Sequence, residues 1–155
     1  MRFVAFGILT LLADQISKYV ITSTMAQGQS IAVLSPVFFI TYVLNPGAAF
    51  GLLANKTEFF ILVSIIVVIG IMVGYRYLPG EWVWAHTALG LISGGAIGNL
   101  IDRIRIGRVI DFLDFRVWPV FNLADTAIVI GALLLILDVW RNDKEEKQRI
   151  DSGAE

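Results

Sequence analysis

The sequence predicts a helical membrane protein with four transmembrane helices and a small β-sheet outside the membrane. Two observations on composition favour this class: 57% of the 155 residues are hydrophobic and 16% are charged, and the mean hydropathy is +0.76. A soluble domain is usually about 45–50% apolar and about 25% charged. The third observation is that the apolar residues fall into four long stretches, each close to the roughly 20 residues that cross a bilayer.

The four apolar stretches occupy residues 3–21, 59–75, 82–101 and 117–140. We expect the first to remain as a helix rather than to be cleaved as a signal peptide, because Asp14 and Lys18 interrupt its apolar part. An even number of spans puts both termini on one side of the membrane. Six Lys and Arg residues flank the spans on that side and five on the other, so the positive-inside rule does not decide the orientation.

Two segments between the spans have the composition of β-strands. Residues 36–44, PVFFITYVL, are rich in β-branched and aromatic side chains and too short to span. A turn at 45–47 follows, and then a short apolar piece at 48–54. Residues 108–117, RVIDFLDFRV, are also typical of extended chain. Together they predict a sheet against the membrane surface, formed by the connections between helices one and two and helices three and four.

The whole of residues 1–141 is expected to form one membrane-embedded domain, and residues 142–155 a charged tail that is solvated and frayed. Within the domain, glycines recur four residues apart on the third helix. Such small residues let helix backbones approach closely in lipid, so the stripe predicts tight packing. The second helix repeats the pattern, and the glycines concerned are Gly90, Gly94, Gly98, Gly70 and Gly74.

Charged groups inside the apolar stretches are candidates for function, because a charge at the bilayer centre costs about 2.5–3.5 kcal/mol. Asp14 and Lys18 lie four residues apart, on one helical face, where they can pair. A neutralising brace accounts for them better than catalysis does. Asn99, Asp102 and Arg103 end the third helix in the sequence GNLIDR. An interfacial helix end and a functional cluster explain these three equally well.

Carboxylates also gather where the fourth helix begins. In FNLAD, Asn122 can cap the helix and the negative charge of Asp125 can interact favourably with the helix dipole. These two roles would account for both residues without any further function. However, Asp111 and Asp114 precede them by a short loop, which can fold one of these carboxylates back beside Asp125. Two adjacent carboxyl groups share one proton, so that one acts as general base on water and the other as general acid.

That arrangement is the hydrolytic chemistry that this set of residues favours. The chain contains no Cys and one His, His86, which excludes thiol chemistry and disfavours a histidine metal site; we expect no metal and no cofactor. The net charge of −1 argues against nucleic acid. Two other classes are weighed against hydrolysis: a structural membrane subunit, and a small transporter or proton conductor that uses Asp14, Lys18, Asp102 and Asp125 as a relay.

Five motifs in order resemble the lipoprotein signal peptidases (signal peptidase II) of bacteria. Any one of them is weak, whereas five at compatible spacing, covering the chain from Asp14 to Asp125, are specific. They are DQISK at 14–18, NPGAAF at 45–50, GGAIGNLIDR at 94–103, VIDF at 109–112 and FNLAD at 121–125.

The resemblance implies an aspartic endopeptidase of the bacterial cytoplasmic membrane. Its substrates would be prolipoproteins that carry diacylglycerol, cut just before the lipidated cysteine, with membrane lipid as the other partner. The termini would be cytoplasmic and the active site would open near the extracytoplasmic face. We also expect a monomer.

The motifs of the family also imply a role for each matched residue. Asp111 and Asp125 would form the catalytic pair; from the residues alone, Asp102 competes with Asp111. Asp14, Lys18 and Asp102 would support the site structurally. The groove for substrate would be lined by Asn45, Gly47, Asn99, Arg103 and Asn122, the last of which would also support the pair.

Overall fold

A computed structural model describes residues 1–47 and 56–151, apart from some side chains near the end of the last helix. The apolar piece expected at 48–54 and the last residues of the expected tail lie outside the described residues. The described residues contain four α-helices, one for each of the apolar stretches. They are α1 (Arg2–Thr24), α2 (Thr57–Gly74), α3 (Val83–Ile106) and α4 (Leu123–Asp151).

Three of the described helical segments are long and apolar enough to cross a membrane: Arg2–Thr24, Thr57–Tyr77 and Leu123–Lys144. The second of them includes the 3₁₀ turn Tyr75–Tyr77 that ends α2. Apolar side chains cover the outer faces, and those of Leu9, Ile66 and Leu133 are more than half exposed. An apolar outer surface is what contact with lipid requires, whereas in a soluble protein most such side chains lie in the core.

Helix α3 has the length of a span, at 24 residues, but it is not among those three segments. It contacts all three of the other helices, and most of its buried positions hold small or polar residues. A helix that is surrounded by protein does not need an apolar surface. The small and polar residues on α3 are therefore consistent with its position among the other helices.

Glycine accounts for the close approach of α3 to its neighbours. A Cβ atom on Gly94 would lie 2.5 Å from the Gly7 carbonyl oxygen of α1, and one on Gly95 would lie 2.5 Å from the Ala124 carbonyl oxygen of α4. The tight packing predicted for the third helix is confirmed. For Gly70 and Gly74 of α2 the prediction is wrong, since an added Cβ would meet no described atom within 4 Å.

A three-stranded antiparallel sheet follows the order β1 (Ser30–Leu34), β2 (Phe38–Asn45), β3 (Val109–Asp114). The sequence analysis predicted only the last two and missed β1, a strand of five residues that is exposed throughout. The pairing of β2 with β3 sets Val43 opposite Asp111. This register brings the end of β2 beside the start of β3.

The start of α4 differs from the apolar stretch that predicted it. That stretch begins at residue 117, whereas the helix begins at Leu123, because the chain first turns back so that Phe121 bridges Leu113 of β3. Asn122 then accepts a hydrogen bond from the Asp125 N–H at 2.9 Å and caps the helix. At its other end α4 continues to Asp151, so the expected charged tail begins within this helix.

Candidate active site

Asp111 of β3 lies where the sheet meets the beginning of α4. Its side chain is 1% exposed, and both carboxylate oxygens accept amide hydrogen bonds. Asn122 donates to Oδ1 at 2.7 Å and Asn45 donates to Oδ2 at 2.9 Å. Strand pairing positions Asn45, which lies at the end of β2, and helix capping positions Asn122.

Asp125 lies in the first turn of α4. Asn99 of α3 donates to its Oδ1 at 2.8 Å, and the Asn122 N–H donates to its Oδ2 at 3.3 Å. Asn122 therefore bonds to both aspartates, through its side chain to Asp111 and through its backbone to Asp125. The capping role that the sequence offered as an alternative is present, and it is part of the geometry that joins the two carboxyl groups.

Both carboxyl groups line one cleft of about 330 Å³. Burial, and then the negative charge of Asp125, raise the pKa of Asp111 from 3.8 to about 7, against the hydrogen bonds from Asn45 and Asn122 that lower it. The Asp111 carboxyl is thus able to hold a proton near neutral pH. Of the expected groove residues, Asn45, Gly47, Asn99 and Arg103 also line the cleft.

Arg103 and Gly47 have different surroundings within that cleft. The Arg103 guanidinium lies 5.0 Å from the centre of the Phe60 ring, which links the end of α3 to α2. The Gly47 N–H donates to Asn45 Oδ1 at 3.0 Å. The turn after β2 therefore holds the amide that faces Asp111.

A buried ion cluster lies behind the cleft. The Lys18 ammonium is 2.9 Å from Asp14 and 2.8 Å from Asp102, and it donates to Asn99 Oδ1 at 3.0 Å. The predicted pairing of Asp14 with Lys18 is confirmed, with Asp102 as a second partner. Asp102 also accepts from the Ile110 N–H at 3.2 Å.

The other candidates for the second carboxylate are engaged elsewhere. Asp102 faces Lys18 and does not line the cleft. Asp114 accepts from Thr41 at 2.6 Å and lies 3.4 Å from the Arg116 guanidinium. Within the part of the chain that the structure describes, only Asp111 shares a cleft with Asp125. No three metal-ligating His, Asp or Glu side chains come together in that part either.

Gln15 was not singled out from the sequence. Its Nε2 donates to Asp14 at 3.1 Å and to the Gly98 carbonyl oxygen at 3.2 Å, and lies 3.4 Å from Asp102. The only signal was its place inside DQISK. Gln15 is neutral, so the sequence around it gives no indication that its side chain links α1 to α3.

An apolar groove of about 530 Å³ adjoins the cleft along the side of α4, and it was also not predicted. The two share Trp118, Phe121, Asp125 and Val129. Apolar residues at the start of the fourth stretch were assigned to the helix, but the return turn before α4 gives several of them to this groove.

The fold and the cleft define a class: helical membrane proteins with two buried carboxyl groups in one cleft where a helix meets an external sheet. Comparison with known proteins identifies the family within this class. The sequence model of the signal peptidase (SPase) II family matches residues 6–141. The chain belongs to this family, and it is a peptidase embedded in a membrane.

Individual relatives agree over nearly the whole chain. A lipoprotein signal peptidase from Moorella thermoacetica is 53% identical over 135 residues, covering 87% of this chain and 90% of that protein. One from Pelotomaculum thermopropionicum is 49% identical over 144 residues, covering 90% and 95%. A bacterial membrane enzyme solved by the in meso method at 2.3 Å resolution superposes with a TM-score of 0.87 at 32% identity, covering 92% of this chain and 90% of that one.

Proposed function

We propose that this chain is an aspartic endopeptidase that removes the signal peptide from diacylglyceryl-modified prolipoproteins, cutting just before the lipidated cysteine. The observation that carries the proposal is the joining of Asp111 and Asp125 by Asn122 in one cleft. Relatives named lipoprotein signal peptidases, similar over most of their length, support the choice of substrate.

The chemistry follows from one proton shared by the two carboxyl groups. Because burial and the negative charge of Asp125 raise the pKa of Asp111 to about 7, we assign this proton to Asp111 and the negative charge to Asp125. Asp125 removes a proton from water, whose oxygen bonds to the scissile carbonyl carbon, while Asp111 protonates the carbonyl oxygen. In the second step the C–N bond breaks, the leaving amine takes the proton from Asp125, and the hydroxyl proton returns to Asp111.

The surroundings of the cleft support a substrate that arrives from the membrane. We assign its apolar portion to the groove beside α4, whose lining includes Asp125. Burial of acyl chains contributes about 0.8 kcal/mol per methylene and would hold the scissile bond at the depth of the pair. Asn45, Gly47 and Asn99 would bind the peptide, and Arg103 a polar group of the substrate or of lipid.

The same proposal fixes the topology. α3 would be the fourth span, the termini and the charged tail from residue 142 would lie in the cytoplasm, and the cleft would open at the outer face of the bacterial cytoplasmic membrane. The enzyme would work as a monomer. A proton relay is less well supported, because Lys18 joins Asp14 and Asp102 in one cluster that Asn99 links to Asp125. These four groups therefore do not form a path along the depth of the membrane.

The test is cleavage of a lipidated prolipoprotein by purified protein in nanodiscs, with the unlipidated precursor as the second substrate. We expect only the lipidated one to be cut. Asp111→Asn and Asp125→Asn should each abolish cleavage and still insert in the membrane. Asp114→Asn is the matched control, since Asp114 lies on the same strand and is also buried. Wild-type cleavage of both substrates, or turnover by Asp111→Asn, would contradict the proposal.

A further inference from the structure

Three asparagine side chains donate to the aspartate pair, and each is held from behind by a second donor. The Asn45 carbonyl oxygen accepts from the Gly47 N–H at 3.0 Å, and that of Asn122 accepts from the Asp125 N–H at 2.9 Å. A backbone N–H can only donate, so the amide oxygen must face it. The NH₂ group of each amide then faces a carboxylate.

For Asn99, the donor behind the amide is a side chain. Lys18 donates to Asn99 Oδ1 at 3.0 Å, while Asn99 Nδ2 donates to Asp125 at 2.8 Å. Asn122 also reaches Asn99 Oδ1, at 3.1 Å, but its shorter bond goes to Asp111. The charged donor makes the stronger hydrogen bond, so Lys18 is the main determinant of the orientation of this amide.

The contacts of Lys18 exceed what a neutralising brace requires. An ammonium group has three N–H donors, and those of Lys18 meet Asp14, Asp102 and Asn99 at 2.8–3.0 Å. The side chain is 2% exposed, so water is not a ready replacement. The carboxylates of Asp14 and Asp102 are enough to balance the charge of Lys18. The third hydrogen bond of Lys18 goes to Asn99, whose amide contacts Asp125.

We infer that Lys18 is a positioning residue for the reaction: it turns the Asn99 NH₂ group onto Asp125 and so keeps that Asp125 oxygen an acceptor. The inference rests on the proposed function, in which Asp125 is the base. With Lys18 replaced by a side chain that cannot donate, the Asn99 amide can turn its oxygen toward Asp125. That contact requires a proton on Asp125 and removes the base.

Charged groups from three elements act on Asp125, so a test of Lys18 must keep the net charge around Asp125 equal to that of the wild type. They are Asp14 and Lys18 of α1, Arg103 of α3 and Asp111 of β3. Two double variants meet this requirement: Lys18→Met with Asp102→Asn, and Lys18→Gln with Asp102→Asn. Each loses one positive and one negative group, so the net charge of the cluster is that of the wild type. Met and Gln have similar sizes, and only Gln can donate to Asn99.

Cleavage of the lipidated substrate is then measured against pH for the wild type and both double variants, at equal amounts of folded protein. In the Gln variant, the acidic and alkaline limbs of the pH–rate profile should lie at the same pH values as in the wild type. The Met variant should lose about tenfold to a hundredfold in kcat with KM little changed, and its acidic limb should rise by about one pH unit. Titration of the infrared band of protonated carboxyl groups should report the same shift without turnover.

Equal kcat values and equal limbs in the two variants would mean that Lys18 serves as a brace alone. If the Met variant does not fold, Lys18→Leu with Asp102→Asn takes its place as the variant that cannot donate to Asn99. A shifted acidic limb in the Gln variant would contradict the inference. The wild type in the same assay reports separately on the proposed function, since that proposal fails if the wild type does not cut the lipidated substrate.

Discussion

Asp14 of α1 accepts a hydrogen bond from the Ala124 N–H of α4 at 3.0 Å. The bond satisfies one of the free donors in the first turn of α4, and Ala124 immediately precedes Asp125. A carboxylate from one helix therefore fixes the start of another, and with it the position of a candidate catalytic group. Asp138 does the same for Ala85 at the start of α3, far from the cleft.

These two aspartates give a matched pair of substitutions. Asp14→Ala and Asp138→Ala should both lower the thermal stability of the protein in detergent, because each removes a buried cap worth about 0.5–2 kcal/mol. Asp14→Ala should lower it further, because it also removes a buried partner of Lys18. Only Asp14→Ala should also lower kcat per folded molecule, since only Asp14 positions Asp125. Equal loss of kcat in both variants would mean that the cap on α4 has no special role.

The raised pKa of Asp111, about 7 against 3.8, predicts how stability depends on pH. The folded state binds the proton more tightly than the unfolded state, so the contribution of Asp111 is fully present below about pH 4 and is lost as pH rises through about 7. Asp111→Asn should flatten the fall in melting temperature between pH 5 and pH 8. It should also lower stability at every pH, because its NH₂ group would meet the amide of Asn45 or Asn122. A slope equal to the wild type would argue against the raised pKa.

Asn45 should set the alkaline limit of activity. Its amide donates to Asp111 and lowers the pKa of that carboxyl, so Asn45→Leu should raise this pKa and move the alkaline limb up by about one pH unit. The control is Thr41→Val on the same strand, which removes a donor to Asp114. Its pH profile should match that of the wild type, and a common shift in both variants would point to the sheet as a whole.

Arg103 should contribute to substrate binding and Arg105 should not. Both lie in the last turn of α3, but Arg103 lines the cleft and Arg105 lines a different cavity. With lipopeptides of graded acyl length in one type of nanodisc, kcat/KM should rise with each methylene in the wild type. Arg103→Ala should lower the whole series, and Arg105→Ala should leave it close to the wild type. A series that is flat in acyl length would contradict entry from the membrane.

Water activation by carboxyl groups predicts insensitivity to chelators. Activity in EDTA should equal activity without it, and added divalent ions should change nothing. Activity that is lost in EDTA and restored by one divalent ion would require a different mechanism.

The helices were predictable because lipid imposes a length and an apolar surface on them. The choice between Asp102 and Asp111 was not predictable from spacing, since it depends on the register of β2 with β3 and on the direction in which the end of α3 faces. Residues 117–121 misled for a related reason: they are apolar, yet they form the return turn and line a groove. Apolar composition does not distinguish lipid-facing residues from groove-lining ones.

The position of α3 has a consequence for how the protein enters the membrane. A helix partitions into lipid by itself only if most of its side chains are apolar, and α3 carries the buried Asn99 and Asp102 among many small residues. Its favourable contacts are with α1 and α4, and α4 is synthesised after it. If α3 is the fourth span, as proposed, we expect its stable insertion to depend on α4. The order in which the helices settle in the bilayer would then differ from the order in which the ribosome makes them.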